Sequence, residues 1–306
     1  MNYKKPYNDL KSYLKKRYGE YVYRLPIDAG FTCPNRDGTK GTRGCIYCDS
    51  TGSGFSVDSD KNIKEQVNGR KTVLRKRGIN KFIAYFQVMS NTYAPVDKLD
   101  RLYSSILCDD IVILDVSTRP DLAPENVLNL LESYKRKLDV MIEFGLQTSI
   151  KTTLRMLNRK HDVHDFIDAV IRAKNHELEV VAHVIVNLPW DNVEDVIETS
   201  KLLSSLNVDG VKIHSLYVVE DTPLGHMYNN NRFSVCTLEE YIERVIIFLE
   251  YLSPEIVIHR LASDPPREGT IIGNWGLSKI EVLNKIHNRM KEEKRYQGKR
   301  FSYLNR

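Results

Sequence analysis

Seven short runs rich in β-branched and aromatic residues recur along this chain, and stretches of helical periodicity separate them; this alternation restricts the fold more than any other feature. The runs are Leu25 to Phe31, Phe82 to Gln87, Ile111 to Val116, Val140 to Gln147, Val180 to Asn187, Val211 to Leu216 and Ile256 to Leu261. Helical patterns cover 62–77, 98–107, 124–136, 149–157, 163–176, 193–206 and 238–251, and a last one runs over 277–293. Pro124 fits a first-turn proline, and Thr237 with Glu240 three residues on fits a capping box. Parallel strands joined by crossover helices predict an α/β fold, a partial (β/α) barrel whose ligands sit at the carboxyl ends of the strands. Polar side chains gather where these runs stop, at Gln87–Tyr93, Ser117–Asp121, Gln147–Ser149, Asn187–Trp190 and from His214 onward.

With 306 residues, 42% hydrophobic and 28% charged, the chain has material for a sizeable core and is neither fibrous nor disordered in composition. No apolar run approaches the ~18 residues of a membrane span. The first residues alternate charge with tyrosine where a secretory peptide needs a continuous apolar stretch, so a cytoplasmic protein without a membrane partner is expected. Five cysteines, an odd number unevenly spaced, do not make a disulfide framework.

The net charge of +5 is concentrated at the ends. Lys4, Lys5, Lys11, Lys15, Lys16 and Arg17 are interleaved with Tyr3, Tyr7, Tyr13 and Tyr18; Lys291, Lys294, Arg295, Lys299, Arg300 and Arg306 accompany Tyr296, Phe301 and Tyr303. We therefore divide the chain into a basic N-terminal extension (1–24), a core (25–263) and a C-terminal extension packed on it, basic at its end (264–306). Such ends suit RNA, through phosphate neutralisation and base stacking, although charge runs of this size are also ordinary solvated surface.

The strongest chemical signal is Cys33-Pro-Asn-Arg-Asp-Gly-Thr-Lys-Gly-Thr-Arg-Gly-Cys45-Ile-Tyr-Cys48, placed just after the first run. A Cys-x2-Cys pair directs two thiolates to one site, and Gly38, Gly41 and Gly44 let the loop fold back so that Cys33 joins them. Three cysteines on a [4Fe-4S] cluster leave one iron open; zinc with a distant histidine and a loop of buried thiols are the alternatives. Cys108 and Cys236 are isolated and are expected to be packing residues.

These residues resemble the radical S-adenosylmethionine (radical SAM) enzymes. The usual spacing there is Cys-x3-Cys-x2-Cys, and the eleven residues between Cys33 and Cys45 resemble the YtqA/YhcC-like branch, relatives of the radical SAM domain of the Elongator catalytic subunit. The likeness runs from Leu25 to Lys279 through Tyr85-Phe86-Gln87, Asn91-Thr92-Tyr93, Ser117-Thr118-Arg119-Pro120-Asp121, Glu143-Phe144-Gly145-Leu146-Gln147-Thr148, Asn158-Arg159-Lys160-His161, His183 to Pro189 and Asp264-Pro265-Pro266-Arg267. It implies a cluster on Cys33, Cys45 and Cys48 and S-adenosylmethionine as cofactor. By position, Asn91 and Thr92 face its methionine end, Glu143 and Gln147 its ribose, Arg159 its carboxylate and Asn187 its adenine, with Ser117 a further cofactor-binding candidate.

Alternation places Glu143 and Gln147 on one strand face, where an ion pair between Glu143 and an arginine is the competing account. Asn187-Leu188-Pro189-Trp190 departs from a commoner Gly-Leu-Pro-Gly, and Asn187 is expected to take the left-handed angles of the glycine. His183 and His214 sit at inward parity, more in the manner of core histidines than catalysts; His214, Arg119 and Arg267 are carried as weak substrate-side candidates.

The resemblance further implies a flavodoxin- or ferredoxin-type electron donor and a tRNA substrate. The residues after the seventh run are too few for the acetyltransferase domain that Elongator relatives add, so the expected reaction remodels an existing C5 side chain of wobble uridine, for instance carboxymethylaminomethyl to aminomethyl. A radical SAM enzyme of a small metabolite, in the manner of the coproporphyrinogen dehydrogenases, and a non-catalytic metal- or RNA-binding protein are the alternatives.

Overall fold

All seven runs join one parallel sheet. The computed structural model describes residues 5–52, 57 and 59–304, so Tyr3, Lys4 and Arg306 lie outside the described residues. In chain order the elements are α1 (Leu10–Tyr18), β1 (Val22–Ile27), α2 (Ile63–Arg75), β2 (Lys81–Phe86), α3 (Val96–Ser104), β3 (Ile111–Thr118), α4 (Glu125–Tyr134), β4 (Asp139–Gln147), α5 (Lys151–Met156), α6 (Val163–Asn175), β5 (Glu179–Ile185), α7 (Val193–Ser205), β6 (Gly210–His214), β7 (Val218–Val219), α8 (Pro223–Asn229), α9 (Leu238–Tyr251), β8 (Val257–Arg260), β9 (Thr270–Ile272) and α10 (Lys279–Glu292). The sheet order is β1-β2-β3-β4-β5-β6-β8, and β7 and β9 form a separate antiparallel pair. Arg24 of β1 comes within 3.2 Å of His259 of β8, although these strands are the two edges, so the sheet is curled into a half-barrel.

Helices cover the outer face, where Leu25, Phe82, Leu114, Ile142, Val180 and Val211 pack against helical residues such as Leu128, Phe166 and Phe248. Every fully buried side chain of this size contributes about 1.5–3 kcal/mol, and together they hold the strand ends that carry the site. The inner face divides along its length. Near the amino ends it is apolar, with Ile83, Ile113 and Met141 in one cluster with Leu14 of α1. Toward the carboxyl ends it is polar.

Helix α1 caps the amino end. Its N-cap Asp9 accepts from Ser12 N at 3.3 Å and bridges to Ile258, while Ile258 N donates to Asn8 O at 2.7 Å. Arg17 pairs with Asp139 at 2.8 Å and with Glu179, and Lys81 donates to Tyr18 O, so the helix lies over the first residues of β2, β4 and β5. The C-terminal segment meets it: Gln297 N donates to Pro6 O and Asn8 N to Gln297 Oε1, both at 2.9 Å, and Tyr7 OH lies 2.6 Å from His287 Nε2. Much of the basic charge at the two ends is spent here, because Arg295 pairs with Glu243 and Glu250 at 2.8 and 2.9 Å and Arg300 reaches Glu250 at 3.3 Å.

Several boundaries differ from expectation. The first strand is Val22–Ile27 and not Leu25–Phe31, because it is paired with β2 from Lys81 onward and because Asp28 accepts from the N–H of Gly30, which turns the chain with φ 69°. Arg24 therefore belongs to the sheet. Pro124 is the N-cap residue of α4 and not its first turn, whereas the Thr237–Glu240 capping box is present. Cys108 is exposed and not packed; its sulfur lies 3.0 Å from Lys71 Nζ at the turn into β3. No helix among the described residues is long and apolar enough to cross a membrane.

Candidate active site

The cysteine loop follows β1 and is folded by its own backbone. Arg36 N and Asp37 N donate to Cys33 O, Cys48 N donates to Cys45 O, and Gly38 and Gly44 take φ of 95° and 69°. It is also clamped to a second turn. Asn35 Nδ2 donates to Asn158 O and Asn158 Nδ2 donates to Gly44 O, both at 2.7 Å. Asn158 and Lys160 have φ of 55° and 57°, a left-handed pair that sends the Arg159 side chain inward between them. Arg159 Nη1 then lies 3.2 Å from Cys45 Sγ and 3.0 Å from Tyr47 OH, and Nη2 donates to Gly145 O at 2.6 Å.

Cys33, Cys45 and Cys48 line one cavity of about 520 Å³ at the carboxyl ends of the strands. Burial and the neighbouring Cys45 push the Cys48 thiol up to about 11, so ligation would release a proton there. Among the described residues no three His, Cys, Asp or Glu side chains are gathered to hold a single metal ion. The donor set fits a cluster better, since a [4Fe-4S] cube spreads its cysteines over separate irons. Two further observations support that fit. Asn35 and Arg159 both aim N–H groups at Cys45 sulfur, at 3.7 and 3.2 Å. A side chain on Gly145 would stand 2.8 Å from Arg159 Nη2 and 2.9 Å from Gln147 Nε2, so glycine keeps this wall open.

Of the residues expected to meet the cofactor, Ser117, Gln147 and Arg159 line the cavity, and so does Arg119. Gln147 adopts φ 76° at a bulge in β4, which interrupts the simple alternation from Glu143. Asn91 and Thr92 do not line it. Asn91 Nδ2 donates to Ser117 O at 2.9 Å and Thr92 Oγ1 bonds Thr118 and Leu122 O, both at 2.6 Å, so these side chains fasten the β2 and β3 ends to each other. Met89 and Ser90 stand on the wall in their place. Asn187 is buried and absent from the lining; its φ is not positive, and its Oδ1 instead shapes the turn by accepting from Leu216 N at 2.8 Å. Arg267 is exposed on the stretch between β8 and β9, outside the cavity. Arg119 is held by Asp121 through two 2.9 Å bonds.

The cavity floor is ionic, and most of it escaped the sequence reading. Glu143 is fully buried beneath it, with Lys212 Nζ at 2.5 Å, His183 Nε2 at 2.7 Å and Arg24 Nη2 at 3.2 Å. The charges of Lys212 and Arg24, with the bond from His183, hold its carboxyl well below the usual range against burial. Asp115, paired with Arg24 at 2.8 Å, is raised by burial and by Glu143. Burial lowers the imidazoles of His183 and His259 to about 4. The bonds then fix the tautomers: Arg260 Nη2 donates to His214 Nδ1 at 3.0 Å, His214 Nε2 to His183 Nδ1 at 3.2 Å, and His183 Nε2 to Glu143. The two histidines are thus not isolated core residues, and their rings stack with centroids 5.1 Å apart. The signal that was available is a lone charge inside three of the apolar runs, at Asp115, Lys212 and Arg260, and one just before the first, at Arg24.

Comparison with known proteins agrees with this geometry. The model of the Radical SAM superfamily matches residues 37–203, and that of the Radical_SAM C-terminal domain matches 208–292. Uncharacterized protein YtqA of Bacillus subtilis is 34% identical over 99% of this chain and 95% of its own length. A tRNA uridine(34) acetyltransferase of Methanocaldococcus infernus is 30% identical over 51% of this chain and 29% of its own. Among solved structures, archaeal Methanocaldococcus infernus Elp3 lacking its N-terminus superposes with a TM-score of 0.67 at 18% identity, covering 90% of this chain and 64% of that one, a likeness of fold.

Proposed function

The chain belongs to the radical SAM superfamily, in a YtqA/YhcC-like branch related to Elongator, and from that premise we propose that it modifies the C5 side chain of wobble uridine in tRNA. Its cofactors are a [4Fe-4S] cluster and S-adenosylmethionine. The observation that carries the chemistry is the meeting of three cysteine thiols and one buried guanidinium in a single cavity at the carboxyl ends of the strands. When bound, cluster and cofactor together supply a 5′-deoxyadenosyl radical that abstracts hydrogen from the substrate.

The residues of the chain have three tasks in this reading. Cys33, Cys45 and Cys48 would hold the cluster, and three ligands would leave it an open position for the cofactor. Arg159 neutralises charge at Cys45 and, with its Nε unpartnered, offers a further donor toward the cofactor carboxylate. Ser117 and Gln147 present hydroxyl and amide groups from adjacent strand ends, where the ribose would lie. With cofactor and substrate bound, the cavity walls would limit the access of water and stray hydrogen donors.

The tRNA reading is supported by the relative that acts on tRNA uridine 34, which shares this part of its sequence. The expected reaction remodels a side chain already present on the base, for instance carboxymethylaminomethyl to aminomethyl: loss of a hydrogen atom and then an electron from the carboxymethyl methylene would leave an imine whose hydrolysis releases the two carbons as an aldehyde acid, with S-adenosylmethionine as the net oxidant and a flavodoxin- or ferredoxin-type donor supplying only the priming electron. Mass spectrometry of tRNA nucleosides from cells lacking the protein tests it: a precursor nucleoside should accumulate, and the purified holoenzyme should consume it. An unchanged nucleoside profile favours a small-metabolite substrate. One observation already gives that second reading weight, since the basic ends lie at the amino ends of the strands, away from the cavity.

A further inference from the structure

Among the described residues, seven that line the cavity are cationic and one, Asp264, is acidic. Most of that charge is answered locally. Arg24 and Lys212 face Glu143, and Arg24 also faces Asp115. Arg119 is held by Asp121, Lys279 by Asp264 at 2.5 Å, and Arg36 by the carbonyls of Cys48 and Asp49. Arg159 serves Cys45 and Gly145 O. Arg260 is what remains: among the described residues it makes no ion pair, its one bond is to the neutral His214, and its Nε is buried without a partner.

A guanidinium has five N–H donors in a planar fork. Here one is spent on His214, which is itself fixed through His183 onto Glu143, so the fork is held from behind while its other donors remain uncommitted. His214, facing the same space, is held neutral by burial and by Arg260 and takes no charge of its own. A fixed arginine without a counter-ion, half-buried in a cavity wall, is stabilised when an anion arrives with the ligand. Arg260 and His214 end adjacent strands, β8 and β6, on a different part of the wall from the cysteine loop after β1.

We propose that Arg260, backed by His214, is the subsite for an anionic group of the substrate, a carboxylate or a phosphate, which it binds through its free N–H fork. The subsite rests on the reading of this cavity as the radical SAM active site, and it needs no tRNA. It gives specificity by charge: a neutral analogue would leave the guanidinium unpaired, which is the expensive arrangement.

The test uses the reconstituted holoenzyme with S-adenosylmethionine and two probes, N-methylglycine for a carboxylate and inorganic phosphate, each titrated calorimetrically at constant ionic strength. The wild-type protein should bind at least one of them saturably. Arg260→Gln should weaken that binding at least tenfold, and Arg260→Lys, which keeps the charge but loses the fork, should fall between. Binding of N-methylglycine alone identifies a carboxylate on the substrate as the anion; binding of phosphate alone identifies a phosphoester. If Arg260→Gln is unfolded by circular dichroism, the Arg260→Lys comparison decides. Absence of saturable binding to the wild type, or equal affinity in the folded variants, overturns the subsite. Because neither probe contains RNA, these outcomes are independent of the nucleoside analysis above.

Discussion

The guanidinium of Arg159 lies 3.2 Å from the sulfur of Cys45, joining the turn between α5 and α6 to the loop after β1. Removing it should therefore act on two quantities. N–H donors and positive charge beside a cluster thiolate stabilise the reduced state, so Arg159→Ala should lower the midpoint potential. The same change should weaken S-adenosylmethionine binding by ~1–3 kcal/mol, the range for a charge-assisted bond. Arg159→Lys should be impaired in both, since an ammonium cannot reach Cys45, Tyr47 and Gly145 O together. Redox titration and equilibrium dialysis check this; unchanged values in both variants place Arg159 outside the site.

Changing Cys33, Cys45 and Cys48 together to Ala should abolish iron and sulfide binding and 5′-deoxyadenosine release while the sheet stays folded. None of the three belongs to a strand or to the packed outer core. Iron, sulfide and product assays beside a circular dichroism melt are sufficient. Retention of near-stoichiometric iron with product formation would overturn the ligand assignment.

Acid should destabilise the cluster-free protein ahead of ordinary carboxylate titration. His183 and His259 have folded values near 4 against about 6.5 unfolded, so between those limits the unfolded chain binds more protons. The histidine contribution is then complete above about pH 6.5 and is lost as pH drops toward 4; the depressed value of Glu143 adds a loss of the same sign at lower pH, while the raised carboxyl of Asp115 acts in the opposite sense. Urea titrations at several pH values should show a slope that His259→Gln reduces. An identical slope in that variant would mean that the buried histidines do not govern it.

For RNA, the informative charges are the ones the fold leaves available. Arg17 and Arg300 are committed to carboxylates, and reversing them would disturb the amino end of the barrel. Lys15 lies over the Tyr21 ring at 5.0 Å from its centroid, and Lys15, Lys16 and Lys299 are exposed. Changing these three lysines to Glu should weaken tRNA binding and flatten its dependence on salt, without altering cluster content. A wild-type salt series in the triple variant would make this face ordinary solvated surface.

The sheet was legible because its strands are covered on the outside by helices and so read as apolar runs, and α9 follows its pattern from Leu238 to Tyr251 without a break. The cysteine loop was legible because ligand spacing is local. Helix α1 was not, since Leu14 is its only buried residue and lysines and tyrosines surround it. The ionic floor was not, since a single charge within an apolar run does not reveal that four other strands bring charges to meet it. The Asn187 turn was misread because its side chain supplies a bond to Leu216 N that a glycine could not make, which removes the need for left-handed angles.

The meeting of the two chain ends also bears on the order of assembly. Tyr7 and His287 are 280 residues apart, and Asn8 and Gln297 are 289 apart. Closing so long a loop adds little entropy cost over a loop half its size, about 0.6 kcal/mol, but it has to wait for almost the whole polypeptide. During synthesis the seven strands and their cysteine loop emerge before this clasp is available. The cofactor end of the barrel is thus complete in sequence while its opposite end is still unlatched, and native-state hydrogen exchange should find the amides of Asn8 and Gln297 opening before those of β3 and β4.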